Sequence, residues 1–186
     1  MKRQFLRSPY LWTMLAAAMV VGWAWKKRES LQPVTVESSA PAFMASSLDG
    51  GTMSLEDFDG QVVLLNIWAT WCEPCLEEMP SMQRLYDALD DDGFEILAVS
   101  IDAPLGQSDD FGRAGGDLDL FTKELGLTFQ ILHDPSGEIQ RTYQTTGVPE
   151  TFLIGRDGLI YKKVAGGTRW DAPVNEELVR RLLASG

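Results

Sequence analysis

The sequence predicts an α/β domain in which a mixed β-sheet carries helices on both faces and is preceded by a β-hairpin. Three observations support this fold class. Residues 62–69 are almost continuously apolar, which is typical of a strand buried on both faces. A helical pattern follows over residues 73–91, and strand-like and helix-like segments then alternate. Near the end of the chain, two strand-like runs flank a turn at residues 156–158, as in an antiparallel pair.

The first elements are predicted from turn signals and periodicity. A hairpin is expected over residues 42–47 and 52–54, because residues 49–51 (Asp-Gly-Gly) form a strong turn signal between them. The helix over residues 73–91 has apolar residues at near-helical spacing, and Pro80 lies inside it. This part of the chain therefore has the order hairpin, strand, helix.

The middle of the chain continues the alternation. Residues 94–101 form another apolar run that is typical of a buried strand. Residues 102–116 are rich in Gly and Asp, contain Pro104, and are predicted to be an inserted loop. A short helix over residues 117–125 should end at Gly126, and a strand is expected over residues 128–132.

The last elements are an antiparallel pair and a helix. The strands are predicted over residues 151–154 and 159–165. The helix over residues 174–183 is entered through Asp171 and Pro173, which are typical of a helix start. Strands that alternate with helices are expected to be parallel, and this last pair is antiparallel. The sheet is therefore predicted to be mixed rather than purely parallel.

Charge is distributed unevenly along the chain. The formal net charge is −11 at pH 7, although the six basic residues among the first 28 are accompanied by no acid. Residues 29–186 therefore carry 10 Lys and Arg against 27 Asp and Glu, a balance of −17. Such an acidic surface repels nucleic acid and favours neutral or basic protein partners.

The N-terminal segment is apolar. Residues 9–25 carry no charge, have aromatic residues near both ends and would form a helix about 26 Å long, close to the ~30 Å of a hydrocarbon core. Basic residues flank them: Lys2, Arg3, Arg7, Lys26, Lys27 and Arg28. We predict an uncleaved membrane anchor over residues 1–28, a tether over 29–40 and a folded domain over 41–186. A cleaved signal peptide is the alternative.

The two cysteines of the chain, Cys72 and Cys75, directly follow the first buried strand. At this spacing their sulfurs can close a small ring at a helix N-terminus, which favours a thiolate. Cys72 precedes the helix and is predicted to attack, and the shielded Cys75 to resolve the mixed disulfide. A structural disulfide and half a zinc site are weaker alternatives, because so short a loop adds little stability and His133 is the only histidine.

Acidic residues surround this pair in sequence. Glu73 lies beside Cys72, and Glu77 and Glu78 follow one turn later. Their negative charge opposes a thiolate and predicts a more reducing pair, although a solvated helix start explains them equally well. Pro74 fits an early helical position.

Two distant motifs carry a family resemblance. Residues 66–75 read Asn-Ile-Trp-Ala-Thr-Trp-Cys-Glu-Pro-Cys, and residues 147–152 read Gly-Val-Pro-Glu-Thr-Phe. The chain resembles, over about residues 41–186, the membrane-tethered thioredoxin-like proteins of the TlpA/ResA type, which include thiol reductases of cytochrome c maturation. The resemblance implies the thioredoxin fold with an N-terminal extension.

The resemblance also implies roles for individual residues. Glu78 would accept or return the proton of Cys75, whereas Asn66 stands where thioredoxins proper hold a titrating aspartate. Pro149 would follow a cis bond and leave the Val148 backbone free to pair with a substrate strand. The residues predicted to contact substrate are Trp71, Glu73, Pro74, Val148, Pro149 and Glu150, the last as a determinant of partner choice.

These observations predict a membrane-anchored thiol–disulfide reductase on the outer side of a cytoplasmic membrane. Its expected substrates are protein disulfides, of apocytochrome c or a relay partner, and its electron donor is a membrane thiol-relay protein. No organic cofactor is expected beyond the redox-active disulfide, because no Gly-rich phosphate loop follows a strand. Alternatives are a reductant of copper-site thiols in cytochrome oxidase assembly, a disulfide-forming oxidant, and a copper chaperone, whose relatives separate their cysteines by three residues.

Overall fold

The computed structural model describes residues 9–28, 33–89 and 93–185, and the chain forms two compact units, Met1–Pro33 and Val34–Gly186. In the first unit, helix α1 (Pro9–Arg28) exposes its side chains from residue 12 to residue 23. Among the described residues, no helix has both the length and the apolar character needed to cross a membrane. Three sequence predictions lie outside the described residues: the basic flank Lys2, Arg3 and Arg7, the tether start at residues 29–32, and the helix end at residues 90–91.

The second unit is built on a seven-stranded mixed sheet in the order β2-β1-β5-β4-β3-β6-β7. The strands are β1 (Met44–Ser47), β2 (Thr52–Ser54), β3 (Val62–Trp68), β4 (Phe94–Ser100), β5 (Gln130–His133), β6 (Glu150–Ile154) and β7 (Ile160–Ala165). Strands β3, β4 and β5 are parallel, whereas β6 and β7 add antiparallel on one side and the β1–β2 hairpin on the other. The predicted thioredoxin-like mixed sheet with a hairpin extension is confirmed.

Helices cover this sheet. They are α2 (Glu73–Leu89), α3 (Leu118–Leu125), α4 (Glu138–Thr142) and α5 (Pro173–Ala184), with a 3-10 helix at Leu55–Phe58. Helix α3 ends, as predicted, at Gly126 in the left-handed conformation. The sequence analysis missed α4, because five residues are too few to show a helical period. The buried Ile139 and a hydrogen bond from its N–H to Asp134 (2.7 Å) hold this helix in place.

Strand β3 lies at the centre of the core. All seven of its residues are buried, and they alternate between two apolar clusters on opposite faces of the sheet. One cluster joins Leu64 to α2 and α5 through Met79 and Val179. The other joins Leu65 to Tyr143, next to α4. Strand β3 is therefore held in the core on both faces, and the cysteine pair at the start of α2 follows it in the chain.

Residues 34–40, which the sequence analysis assigned to the tether, lie along β7. The Glu37 N–H donates to the Ile160 carbonyl (2.8 Å), the Ile160 N–H donates to the Ser38 carbonyl (3.0 Å), and Val34 is buried. The compact unit accordingly begins at Val34 rather than at residue 41. Composition does not reveal this, because the partner is the open edge of a strand 120 residues away in the chain.

Candidate active site

The cysteine pair lies where β3 leads into α2. Cys72 and Cys75 form a disulfide, with Cα atoms 5.3 Å apart. The Cys75 N–H donates to Cys72 Sγ (3.3 Å), so a backbone donor of the first helical turn faces the first sulfur. Cys72 is 5% exposed and Cys75 is completely buried. Of the two cysteines, only Cys72, the one predicted to attack, therefore keeps any exposed surface.

A buried carboxylate holds the segment that precedes Cys72. Asp102 accepts hydrogen bonds from the Thr70 N–H (2.9 Å) and the Thr70 hydroxyl (2.6 Å). It also accepts from the Ser100 hydroxyl (2.6 Å) and, at 3.4 Å, from the Gly116 N–H. Asp102 thus joins the ends of β3 and β4 to the inserted loop. The sequence analysis missed this role, for which the only signal is an acid directly after a buried strand.

Glu78 is a buried carboxyl one turn after Cys75, on the same face of α2. It accepts hydrogen bonds from the Asn66 side-chain amide (2.7 Å) and the Thr168 N–H (3.2 Å). Burial raises the pKa of Glu78 from 4.5 to about 7, and these two donors limit the rise. The Trp170 indole lowers this pKa slightly as well, although its N–H makes no hydrogen bond of ordinary geometry.

A surface groove of 370 Å³ reaches Glu78. It is lined by Pro74, Glu77, Glu78, Gly167, Thr168 and Arg169. Gly167 allows the opposite wall to approach α2 closely, since a Cβ there would lie 2.9 Å from the Pro74 carbonyl oxygen. The groove connects the buried carboxyl to solvent, so a proton can reach or leave it.

The residues beside the disulfide in sequence are accessible. Glu73 and Pro74 are exposed in the first turn of α2, as is Glu77 one turn later. Trp71 is half-buried, and the Arg113 guanidinium lies 3.7 Å from the centre of its ring. Trp71, Glu73 and Pro74 are therefore placed where a protein that approaches Cys72 would meet them.

The Val148–Pro149 segment reaches the same end of the sheet. Its peptide bond is cis, as the resemblance implies. The pairing of Ile67 with Glu150 between β3 and β6 brings this segment next to the end of β3. The Gly166 N–H donates to the Pro149 carbonyl (2.8 Å) and ties the segment to the end of β7. Two motifs that lie more than 70 residues apart in sequence therefore form one site.

Glu150 requires a correction. The sequence analysis assigned it to partner choice, but the side chain is only 2% exposed. One carboxylate oxygen pairs with Lys163 Nζ (2.9 Å), and the other accepts from the Thr146 N–H (3.2 Å). A carboxylate held inside the protein in this way does not contact a partner. Its contacts instead hold the residues on either side of Val148 and Pro149.

His133, the histidine considered for a zinc site, is the last residue of β5. Its Nε2 lies 2.8 Å from the Asp102 carbonyl oxygen. Across the described part of the chain, no group of three or more His, Cys, Asp or Glu side chains is arranged to hold a metal ion.

This arrangement allows two electrons to pass between the cysteine pair and a cysteine pair of another protein. Cys72 is the accessible sulfur, Cys75 can displace a partner from it, and Glu78 can exchange a proton near neutral pH. The class of protein that such a site defines, on this fold, is the thioredoxin-like thiol–disulfide oxidoreductases.

Comparisons with known proteins agree with that class. The AhpC/TSA family profile matches residues 36–163. The thiol-disulfide oxidoreductase ResA of Geobacillus thermodenitrificans is 37% identical over 145 residues, covering 78% of this chain and 77% of that protein. ResA of Oceanobacillus iheyensis is 34% identical over 176 residues, covering 91% and 85%. The chain therefore belongs to the AhpC/TSA family, with ResA thiol–disulfide oxidoreductases among its relatives.

Solved structures show the same fold. StoA from Bacillus subtilis has a TM-score of 0.56 at 26% identity, over 81% of this chain and 98% of that one. The thioredoxin domain of a thiol-disulfide oxidoreductase from Bacteroides vulgatus has a TM-score of 0.62 at 26% identity, over 78% and 98%. The predicted fold, family and enzyme class are thus confirmed.

Proposed function

We propose that this protein is a reductase that donates electrons to disulfides of client proteins outside the cytoplasm, with apocytochrome c among its clients. The buried Glu78, one turn from Cys75 and with a pKa of about 7, carries the proposal. A base of this pKa can take the Cys75 proton when the reduced enzyme reacts. The exposed Glu73 and Glu77 add support, because negative charge near Cys72 disfavours a stable thiolate and makes the pair more reducing.

The reaction begins with both cysteines reduced. The Cys72 thiolate attacks one sulfur of a client disulfide, a mixed disulfide forms, and the first client thiolate leaves. Glu78 accepts the Cys75 proton, and the Cys75 sulfur attacks Cys72 Sγ and expels the second client thiolate. The client gains two electrons and its two thiolates take up two protons, while Cys72 and Cys75 become the disulfide seen here. A dithiol donor, a membrane thiol-relay protein in our proposal, then reduces this disulfide in the reverse sequence.

Attachment to a membrane is the second part of the proposal. The uncharged residues 9–25 support it, together with the basic residues on both sides. Helix α1 exposes large apolar side chains, among them Trp12, Met19 and Trp23. We propose that these insert into the outer half of a cytoplasmic membrane and keep the redox unit in an oxidising compartment, where it needs a dedicated electron donor.

The reduction potential of the Cys72–Cys75 pair tests the proposed direction. In thiol redox buffers we expect a midpoint at or below about −250 mV, near the thioredoxin end of the known range. A Cys75→Ser variant should accumulate a mixed disulfide with a client, whereas the matched Cys72→Ser variant should not. A midpoint near −120 mV, which is characteristic of disulfide-forming oxidants, would refute the reductase.

A further inference from the structure

We propose that the inserted loop, residues 102–116, is a docking surface that selects client segments carrying an apolar side chain and Lys or Arg residues next to their disulfide. The inference deepens the proposed reductase function and rests on it. It starts from two large apolar side chains on this loop that face solvent: Phe111 is 84% exposed and Leu105 is 66% exposed. Large apolar side chains that a folded loop leaves in water are candidates for contacts with another protein.

The loop is connected to the cysteine pair through stacked side chains. The Arg113 guanidinium lies 3.7 Å from the centre of the Trp71 ring and 5.0 Å from the centre of the Phe111 ring. Both distances are within the range of a cation–π contact. Trp71 directly precedes Cys72, so the Trp71–Arg113–Phe111 stack extends from the residue next to the attacking cysteine out to the exposed ring. A client whose disulfide reaches Cys72 therefore lies within reach of Phe111.

Polar contacts inside the loop hold Phe111 in this exposed position. The Asp109 carboxylate accepts from the N–H groups of Phe111 and Arg113 (2.9 Å each) and pairs with Arg113 Nε (2.6 Å). Gly115 packs so tightly that a Cβ would lie 2.0 Å from the Ala103 carbonyl oxygen. The loop is thus folded on its own framework and still leaves its largest apolar side chain in water. Although it contacts Arg113, the Phe111 ring remains exposed enough to meet a client side chain.

Charge identifies the occupant. Asp109 neutralises Arg113, so the stack itself offers little net positive charge. Exposed carboxylates lie on the loop and close to it in sequence. Asp110 is on the loop, Asp117 and Asp119 are at the start of α3 directly after it, and Glu73 is two residues after Trp71. Residues 29–186 also carry a balance of −17. A client segment with Lys or Arg is attracted to this surface, and one with Asp or Glu is repelled.

The test uses the reduced full-length chain in detergent and three disulfides. One is a cystine peptide flanked by Phe and Lys, one is the same peptide with Ser and Asp, and one is hydroxyethyl disulfide, which is small and neutral. We expect the rate constant for the Phe/Lys peptide to exceed that for the Ser/Asp peptide and to fall as salt is added. Phe111→Ala should lower the ratio of the Phe/Lys rate constant to the hydroxyethyl disulfide rate constant about five- to tenfold.

Val36→Ala is the matched control. Val36 is also an exposed apolar residue (47%), and the N–H of its neighbour Glu37 donates to Ile160 at the opposite end of the sheet from Cys72. This variant should keep the wild-type ratio. Equal ratios in the wild type and Phe111→Ala, or a wild type that does not distinguish the two peptides, would overturn the docking surface. A wild type that reduces none of the three disulfides would instead overturn the reductase function.

Discussion

The burial of Glu78 affects both the proton chemistry of the site and the stability of the fold. Its carboxyl is buried between β3 and the segment around Thr168, where the Asn66 and Thr168 donors supply only part of the solvation that water would give. The protonated form is therefore favoured up to about pH 7 in the folded protein. In the unfolded chain the same group ionises near 4.5. Because of this difference in pKa, Glu78 can exchange a proton at neutral pH. For the same reason, Glu78 makes the folded protein less stable at neutral pH.

We predict that the wild type loses folding stability as the pH rises from 4.5 through 7, and that Glu78→Gln removes this loss. Since the folded state of the wild type keeps a proton that the unfolded state releases, its free energy of unfolding should decrease by on the order of 3 kcal/mol as the pH rises from 4.5 through 7. Urea unfolding of the oxidised protein at several pH values measures this slope. Glu77→Gln, an exposed neighbour on α2, should retain the wild-type slope.

The same variants give a kinetic readout. In a single turnover of the reduced enzyme, Glu78→Gln should release the second client thiol more slowly than Glu77→Gln, and the difference should grow as the pH rises through 7, where Glu78 becomes a base. If Glu78→Gln shows the wild-type dependence on pH in both stability and rate, Glu78 does not titrate as inferred.

At the level of elements, the site depends on the junction between β3, β4 and the inserted loop. Asp102 is completely buried and accepts from Thr70, Ser100 and, more weakly, Gly116. Gly116 packs against the Thr70 side chain, since a Cβ there would lie 2.2 Å from Thr70 Oγ1. One carboxylate thus positions both the residues before Cys72 and the start of the segment that leads into α3.

We predict that Asp102→Asn destabilises the protein by about 2 kcal/mol, because an amide offers one acceptor oxygen and turns an N–H₂ group towards donors. Thermal or urea unfolding of the oxidised protein provides the measurement. Asp110→Asn makes the same chemical change at an exposed position of the same loop and should leave stability within about 0.5 kcal/mol of the wild type. Equal stabilities of the two variants would show that the Asp102 contacts do not hold the junction.

At the scale of the whole molecule, the chain divides into a basic, apolar N-terminal part and an acidic redox unit. Residues 1–28 carry six basic residues and no acid, and residues 29–186 carry all 27 acids. A membrane with anionic lipids attracts residues 1–28 and repels the acidic remainder. This division supports the proposed attachment through the N-terminal residues.

The proposed attachment predicts that the full chain stays with the membrane pellet after extraction with alkaline carbonate, held by the exposed apolar side chains of α1. A chain that lacks residues 1–28 should appear in the supernatant with the same reduction potential. Recovery of the full chain in the supernatant would contradict attachment by insertion.

Much of the fold follows from local patterns. The apolar runs of β3 and β4, the turn at residues 49–51 and the Gly126 cap each depend on neighbouring residues and were predicted within one or two positions. The short helix α4 and the pairing of residues 34–40 with β7 were not. Five residues carry too little periodicity, and an edge strand finds a partner that no local pattern specifies.

The sequence by itself determined the redox chemistry, since a CxxC pair after a buried strand and before a helix is a local arrangement that specifies its own geometry. Only the tertiary structure decided which partners each buried acid meets. Glu78 and Glu150 are both buried, but one meets neutral donors and the other meets Lys163, while Asp102 reaches Thr70 across 32 residues. Burial and partners set the chemistry of a carboxyl group, and both arise from contacts between segments far apart in the chain.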